Sequence, residues 1–183
     1  MKFNGEYKKI MKALIITSQL VQDHEFIYPF YRLKEEGIEV EVYNQSDSIV
    51  KGFFGTKIPP QKEDKIIDLL KINMDEYDLL VLPGGVKSME ILRLDKKAID
   101  VIKAFNQKKK LIAAICSGTM MLISANIIKN KKVTGYYAWK QDIINAGGIF
   151  EDKPCVVDEN LITSPHYKYN GDWMGSVIKQ LKK

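Results

Sequence analysis

Three lysines, Lys108-Lys109-Lys110, give way abruptly to Leu111-Ile112-Ala113-Ala114-Ile115, and this apolar run stops at Cys116-Ser117-Gly118. A run with no polar residue on either alternate face is how a strand buried on both sides reads, as in a parallel sheet covered by helices. Thr119-Met120-Met121-Leu122 then takes on helical character, so the chain has to turn sharply at the cysteine. Ala114 and Gly118 put small residues two positions before and after Cys116. That is the spacing of a nucleophile elbow, with Cys in place of Ser and Ala in place of the first Gly. Small residues are needed because the backbones on either side of such a turn approach closely. The helix opening there would aim free N–H groups and its positive end at the sulfur, which favours thiolate over thiol. A lone cysteine elsewhere is a small buried hydrophobe. At a strand end beside glycine, it points to a functional thiol.

A chain of 183 residues with 45% apolar and 28% charged residues suits one globular domain, expected over 11–183 behind a polar, basic extension at 1–10. The net charge of +5 comes from scattered lysines without an arginine-rich or aromatic-interleaved basic stripe, so nucleic acid is not an expected partner. No apolar run is long enough to span a bilayer, and Cys116 and Cys155 cannot build a disulfide framework. A reducing cytoplasm is the expected setting. The two cysteines and two histidines have no metal-ligand spacing, and Gly52-Phe53-Phe54-Gly55-Thr56-Lys57 lacks the gap of a phosphate-binding loop. Neither a metal nor a cofactor is expected.

Along the chain, Ala13-Leu14-Ile15-Ile16-Thr17 reads as a buried strand, and a helix is expected over 25–37, with Asp23 as its N-cap and Gly37 as its stop. Strand-like alternation over 38–43 completes a strand–helix–strand unit. Residues 49–60 suggest a β excursion, and 66–72 is ambiguous between strand and helix. A further buried strand, Leu79-Leu80-Val81-Leu82, ends at Pro83-Gly84-Gly85. Helices are expected over 96–108, 119–128, 139–146 and 172–180, a short strand over 132–136, and a hairpin turning at Asp158-Glu159-Asn160.

In such a sheet, ligands collect at the carboxyl ends of the strands, where this reading places Glu25, Gly84-Gly85 and Cys116. Three passages, Asp23-His24-Glu25-Phe26-Ile27-Tyr28-Pro29, Tyr77-Asp78-Leu79-Leu80-Val81-Leu82-Pro83-Gly84-Gly85 and Ala114-Ile115-Cys116-Ser117-Gly118, resemble the signatures of the DJ-1/PfpI superfamily. Lys132-Val133-Thr134-Gly135 and the segment 156–164 are similar to later parts of its pattern. The resemblance implies a flavodoxin-like α/β/α sandwich with a mainly parallel sheet. It implies Cys116 as nucleophile, Glu25 as its proton partner, and the N–H groups of Gly85 and Ser117 as an oxyanion hole. The residues alone allow plainer readings: Glu25 complementing a helix dipole, and Gly84-Gly85 forming a simple turn.

The resemblance is incomplete in one respect. Peptidase-like members carry His directly after the nucleophile, and this chain has Ser117; Tyr136 stands where other relatives bring a His. His166 remains as a pocket acid/base, a polar wall, or a loop histidine packed among tyrosines. His24 is expected to face solvent. Tyr136, Tyr137, Trp139, Tyr167, Tyr169 and Trp173 could wall the site, build core or form a subunit interface. Cys155 is read as structural. The implied activity is attack on a small aldehyde or dicarbonyl, as in glyoxalase or deglycase chemistry, or on an amide, by a chain that assembles as a homo-oligomer. The alternatives are a redox sensor or chaperone-like stress protein acting through oxidation of Cys116, and a divergent member that keeps only the fold.

Overall fold

The computed structural model describes residues 10–61 and 64–183. The extension expected over 1–10 therefore lies, but for Ile10, outside the described residues. In chain order the regular elements are β1 (Lys12–Thr17), α1 (Asp23–Glu35), β2 (Glu39–Asn44), β3 (Val50–Lys51), β4 (Lys57–Ile58), β5 (Leu79–Leu82), α2 (Val86–Leu92) and α3 (Lys96–Gln107). They continue with β6 (Leu111–Ile115), α4 (Thr119–Ser124), β7 (Lys132–Val133), α5 (Lys140–Asn145), β8 (Ile149–Phe150), β9 (Val156–Asp158), β10 (Leu161–Ser164) and α6 (Asn170–Leu181).

Six strands form the central sheet in the order β2-β1-β5-β6-β10-β9. All neighbours are parallel except the edge strand β9, which turns back on β10. Because side chains alternate across a strand, each apolar run feeds two cores. Leu14, Ile16, Leu80, Leu82, Ile112 and Ala114 face α2, α3 and α4, packing on Leu92, Ile102, Phe105 and Met121. Ala13, Ile15, Val81, Ala113 and Ile115 face α1 and α6, packing on Phe26, Phe30, Leu33 and Trp173. The result is the expected three-layer α/β/α sandwich. One charge is held inside it: Glu41 of β2, 2% exposed, is ringed by Lys12, Lys65 and the Tyr77 hydroxyl, which offset the cost of desolvating it.

Several boundaries differ from expectation. Gln22, not Asp23, caps α1, its side-chain oxygen accepting from His24 N at 3.1 Å. Asp23 has turned to a tertiary task, accepting from the N–H groups of Phe54 (2.7 Å) and Thr56 (3.0 Å) and so tying the β3–β4 hairpin to the start of α1. Segment 66–72 is neither strand nor helix; it is irregular, with one bridge from Ile66 to Val42. α4 is shorter than 119–128. The 132–136 strand shrinks to β7, which pairs outside the main sheet with β8, a strand not anticipated. α2 was also not anticipated. Trp173 is core rather than wall or interface, fully buried with its indole donating to Ile162 O. No helix among the described residues is long and apolar enough to cross a membrane.

Candidate active site

β1 is followed by β2 on one side, and the chain returns as β5 on the other, so the order of strand addition reverses between the parallel β1 and β5, where crevices form at strand ends. Gln22 N donates to Gly84 O at 3.1 Å across this point, joining the start of α1 to the end of β5. Glu25, in the first turn of α1, is thereby turned inward. Its side chain is fully buried, and Gly84 N donates to its Oε2 at 2.9 Å.

A Cβ on Gly84 would lie 2.4 Å from Glu25 Oε2 and 2.9 Å from Cys116 Cβ. The carboxyl and the cysteine thus meet over the hydrogen of Gly84, and no other residue leaves room for that meeting. Gly118 is constrained in the same way: its missing Cβ would stand 2.2 Å from Leu82 O. This is the close backbone approach expected of the small residues flanking the turn.

Cys116 itself has φ +57, a left-handed conformation that costs a non-glycine residue roughly 1–3 kcal/mol. The strain is held in place at its carbonyl, which accepts from Thr119 Oγ1 (2.9 Å) and from Tyr136 N (3.3 Å). The turn opens as a short 3-10 segment, Cys116–Gly118, before α4 begins. Ser117 is fully buried, its Oγ 3.8 Å from Cys116 Sγ and 3.1 Å from Trp139 Nε1.

Electrostatics around the pair are set by burial. Desolvation pushes Glu25 up from the ordinary carboxyl range to about 8, although the Cys116 thiol and the N–H groups of Gly84 and Tyr167 favour its charge. Its Oε1 completes no hydrogen bond with any described residue. Burial also pushes the Cys116 thiol up, an ionised Glu25 pushes it further, and the Ser117 hydroxyl and N–H oppose both. Both directions run against the ready-made thiolate expected from the helix start, because two anions side by side in a dry site disfavour each other.

Burial has a consequence for stability. A carboxyl whose folded value lies near 8 rather than near 4.5 stabilises the native state fully below pH 4.5, and this contribution is lost as pH rises through 8. Glu25→Gln keeps an acceptor for Gly84 N–H without the titration. It is expected to gain on wild type by roughly 3 kcal/mol between pH 5 and pH 8 in urea melts. A parallel pH dependence in the two proteins would contradict the burial of this carboxyl.

The pair opens onto a cavity of about 450 Å³ that Gly85, Ser117, Tyr136 and His166 line, together with Phe53 and Val86. Of the residues singled out from sequence, Glu25, Gly85, Cys116, Ser117, Tyr136, His166 and Tyr167 line it, whereas Tyr137, Trp139, Tyr169, Trp173 and Cys155 do not. His166 Nδ1 accepts from Lys168 N at 3.2 Å, which places its proton on Nε2; burial, and then Lys168, hold its pKa below the usual value. His24 is exposed as expected, yet it stacks on Tyr167, whose ring lies 4.0 Å from His166. Tyr167 also walls a larger groove of about 1140 Å³ along the outer face of α1. Cys155 packs against the α1/α6 core at the sheet edge. Sequence reasoning did not find Phe53, Val86 or the Trp139–Ser117 bond. Phe53 had a signal, an aromatic pair between Gly52 and Gly55; Trp139 had none beyond being aromatic.

The sequence profile of the DJ-1/PfpI family matches residues 11–180. The chain belongs to the DJ-1/PfpI family. Among its relatives is a protein named Deglycase PfpI from Pyrococcus furiosus, 38% identical over 172 residues, covering 94% of this chain and all of the relative. General stress protein 18 of Bacillus subtilis is 35% identical over 155 residues, covering 84% of this chain and 87% of the relative. The crystal structure of Drosophila melanogaster DJ-1beta superposes with a TM-score of 0.84 at 26% identity, over 94% of this chain and 90% of that one. The DJ-1beta structure shares the α/β/α sandwich described above.

Proposed function

We propose that the protein is an enzyme acting on small electrophilic carbonyls, α-dicarbonyls and the adducts they form, with Cys116 as nucleophile and Glu25 as proton partner. The observation that carries this reading is the buried carboxyl of Glu25 meeting a strained Cys116 over Gly84. The name of the Pyrococcus relative, a deglycase, supports the substrate class. With methylglyoxal, the sulfur adds to the aldehyde carbon as its proton passes to the Glu25 carboxylate. The N–H groups of Gly85 and Ser117 receive the developing oxyanion. Glu25 passes that proton to the oxyanion, giving the hemithioacetal. As a carboxylate again, it takes the hydrogen of the former aldehyde carbon and returns it to the neighbouring carbon, and the resulting thioester is cleaved by water to lactate and the free thiol. One carbon is oxidised and its neighbour reduced, so no outside oxidant is needed.

An amide asks for more, because its amine must be protonated to leave. The chain offers Ser117 where a His would stand, and His166 already uses Nδ1 to accept from Lys168 N. Carbonyl addition needs only the acid/base that is present. A value near 8 also matches Glu25 to proton transfer close to neutral pH.

Since Glu25 must be ionised to take the thiol proton, kcat/KM for methylglyoxal is expected to rise up to tenfold per pH unit between 6 and 8 and then flatten. Glu25→Gln should lower the rate and remove that rise. Lactate assays across pH test this. Cys116-dependent hydrolysis of casein or aminoacyl-coumarins without lactate would move the assignment to amides. Selective gain of two oxygens on Cys116 under mild peroxide, with no turnover, would move it to redox sensing.

A further inference from the structure

We propose that Trp139 and Ser117 form a polarised hydrogen-bond chain ending on the Cys116 sulfur, with Trp139 acting as a positioning residue for the reactive thiolate. An indole nitrogen can only donate. Trp139 Nε1–H donates to Ser117 Oγ at 3.1 Å, so this contact uses a lone pair of the hydroxyl and leaves the hydroxyl's own proton for another acceptor. Cys116 Sγ stands 3.8 Å away, within reach of the longer bonds that sulfur accepts. Ser117 is fully buried, so bulk water does not compete for that proton. Once Cys116 is a thiolate it has no proton to give, and the direction is then fixed: indole N–H to hydroxyl oxygen, hydroxyl proton to sulfur. Each bond polarises the next, and the last one strengthens when the thiol becomes an anion.

The same short segment holds the turn at two points. Tyr136 N–H donates to the Cys116 carbonyl at 3.3 Å, and Trp139, three residues on, holds the adjacent hydroxyl. The other polar groups around the sulfur are distributed as follows. Glu25 faces it from α1, where its ionised form opposes a thiolate. Tyr136, His166 and Tyr167 share its cavity, and Lys87 and Glu90 of α2 are paired with each other at 2.7 Å. The Ser117 hydroxyl is then the side-chain donor directed at the sulfur from its own turn, and its orientation is set by a residue that touches neither sulfur nor substrate.

The test is the rate of iodoacetamide alkylation at Cys116 against pH, read by peptide mass so that Cys155 does not interfere. Ser117→Ala is expected to raise the midpoint by about one pH unit, the worth of a hydrogen bond to a charged acceptor. Trp139→Phe keeps the ring, loses the N–H, and should raise the midpoint by part of that amount. Combining the two should add nothing to Ser117→Ala alone. An unchanged midpoint in either single variant, or an additive double variant, overturns the proposal. If a variant does not fold, the wild type decides by NMR: one of the chain's two indole N–H signals should shift with the alkylation midpoint and stop shifting once Cys116 is replaced by alanine. Two indifferent indoles would equally overturn it. The inference rests on Cys116 as the reacting sulfur, but alkylation reads that sulfur without turnover. A failure here leaves lactate formation to stand by itself, and a failure to make lactate leaves the alkylation profile readable.

Discussion

Replacing Cys116 with alanine is expected to lower lactate formation from methylglyoxal by about 10³-fold or more, to the rate of the uncatalysed reaction. The loss should appear in kcat rather than KM, because the substrate is held by the cavity and the N–H groups of Gly85 and Ser117 remain. Thermal stability should change little. Alanine loses one half-buried sulfur, keeps the same φ, and leaves the bonds from Thr119 and Tyr136 to the carbonyl in place. A variant that retains a tenth of the wild-type rate would show that another group attacks the carbonyl. A variant that is inactive but melts well below wild type would show that the cysteine acts mainly as packing.

The second large effect lies two residues further on. Gly118→Ala is expected to cost about 3 kcal/mol, a fall of about 10 °C in melting temperature for a chain of this size. Its Cβ would stand 2.2 Å from Leu82 O, and that neighbour is backbone at the end of a central strand, which cannot swing aside. Leu82 leads through Pro83 to Gly84, so relief of the clash moves the residue over which Glu25 and Cys116 meet. Activity should therefore fall more than the loss of folded protein explains. Gly175→Ala provides the contrast: it lies within α6 with nothing within 4 Å of the added carbon, and should gain about 0.5–1 kcal/mol. Melting curves of the two variants side by side test both. Equal melting temperatures would mean that the strand end and the start of α4 are more loosely packed than described.

What the sequence displays and what it conceals follow from how each feature is encoded. β1, β5 and β6 were legible because strands buried on both faces leave no polar position in the run. The turn at Cys116 was legible because a sharp reversal demands small residues at fixed spacing. α2 was concealed by its position: seven residues directly after a glycine pair are too few for a periodic signal. β8 has only two residues and no pattern to read. Asp23 misled because a helix start and a loop anchor both call for the same carboxylate. Only the position of Phe54 and Thr56, some thirty residues away, shows which task it performs. In the site, Glu25 looked like any acidic residue in a first helical turn until the resemblance marked it. Its inward position is fixed by Gly84, which lies just past the end of β5, 59 residues on. The Trp139–Ser117 bond depends on how a loop after β7 folds back over the turn, and nothing local encodes that.

Glu25 and Gly84 are 59 positions apart, and the cysteine they meet lies later still, just past the end of the fourth strand across the sheet. During synthesis from the amino end, a chain halted before residue 116 has emerged carries the carboxyl and the glycine but no sulfur to place beside them. Half-made molecules on the ribosome therefore lack this thiol altogether and are spared its alkylation or oxidation.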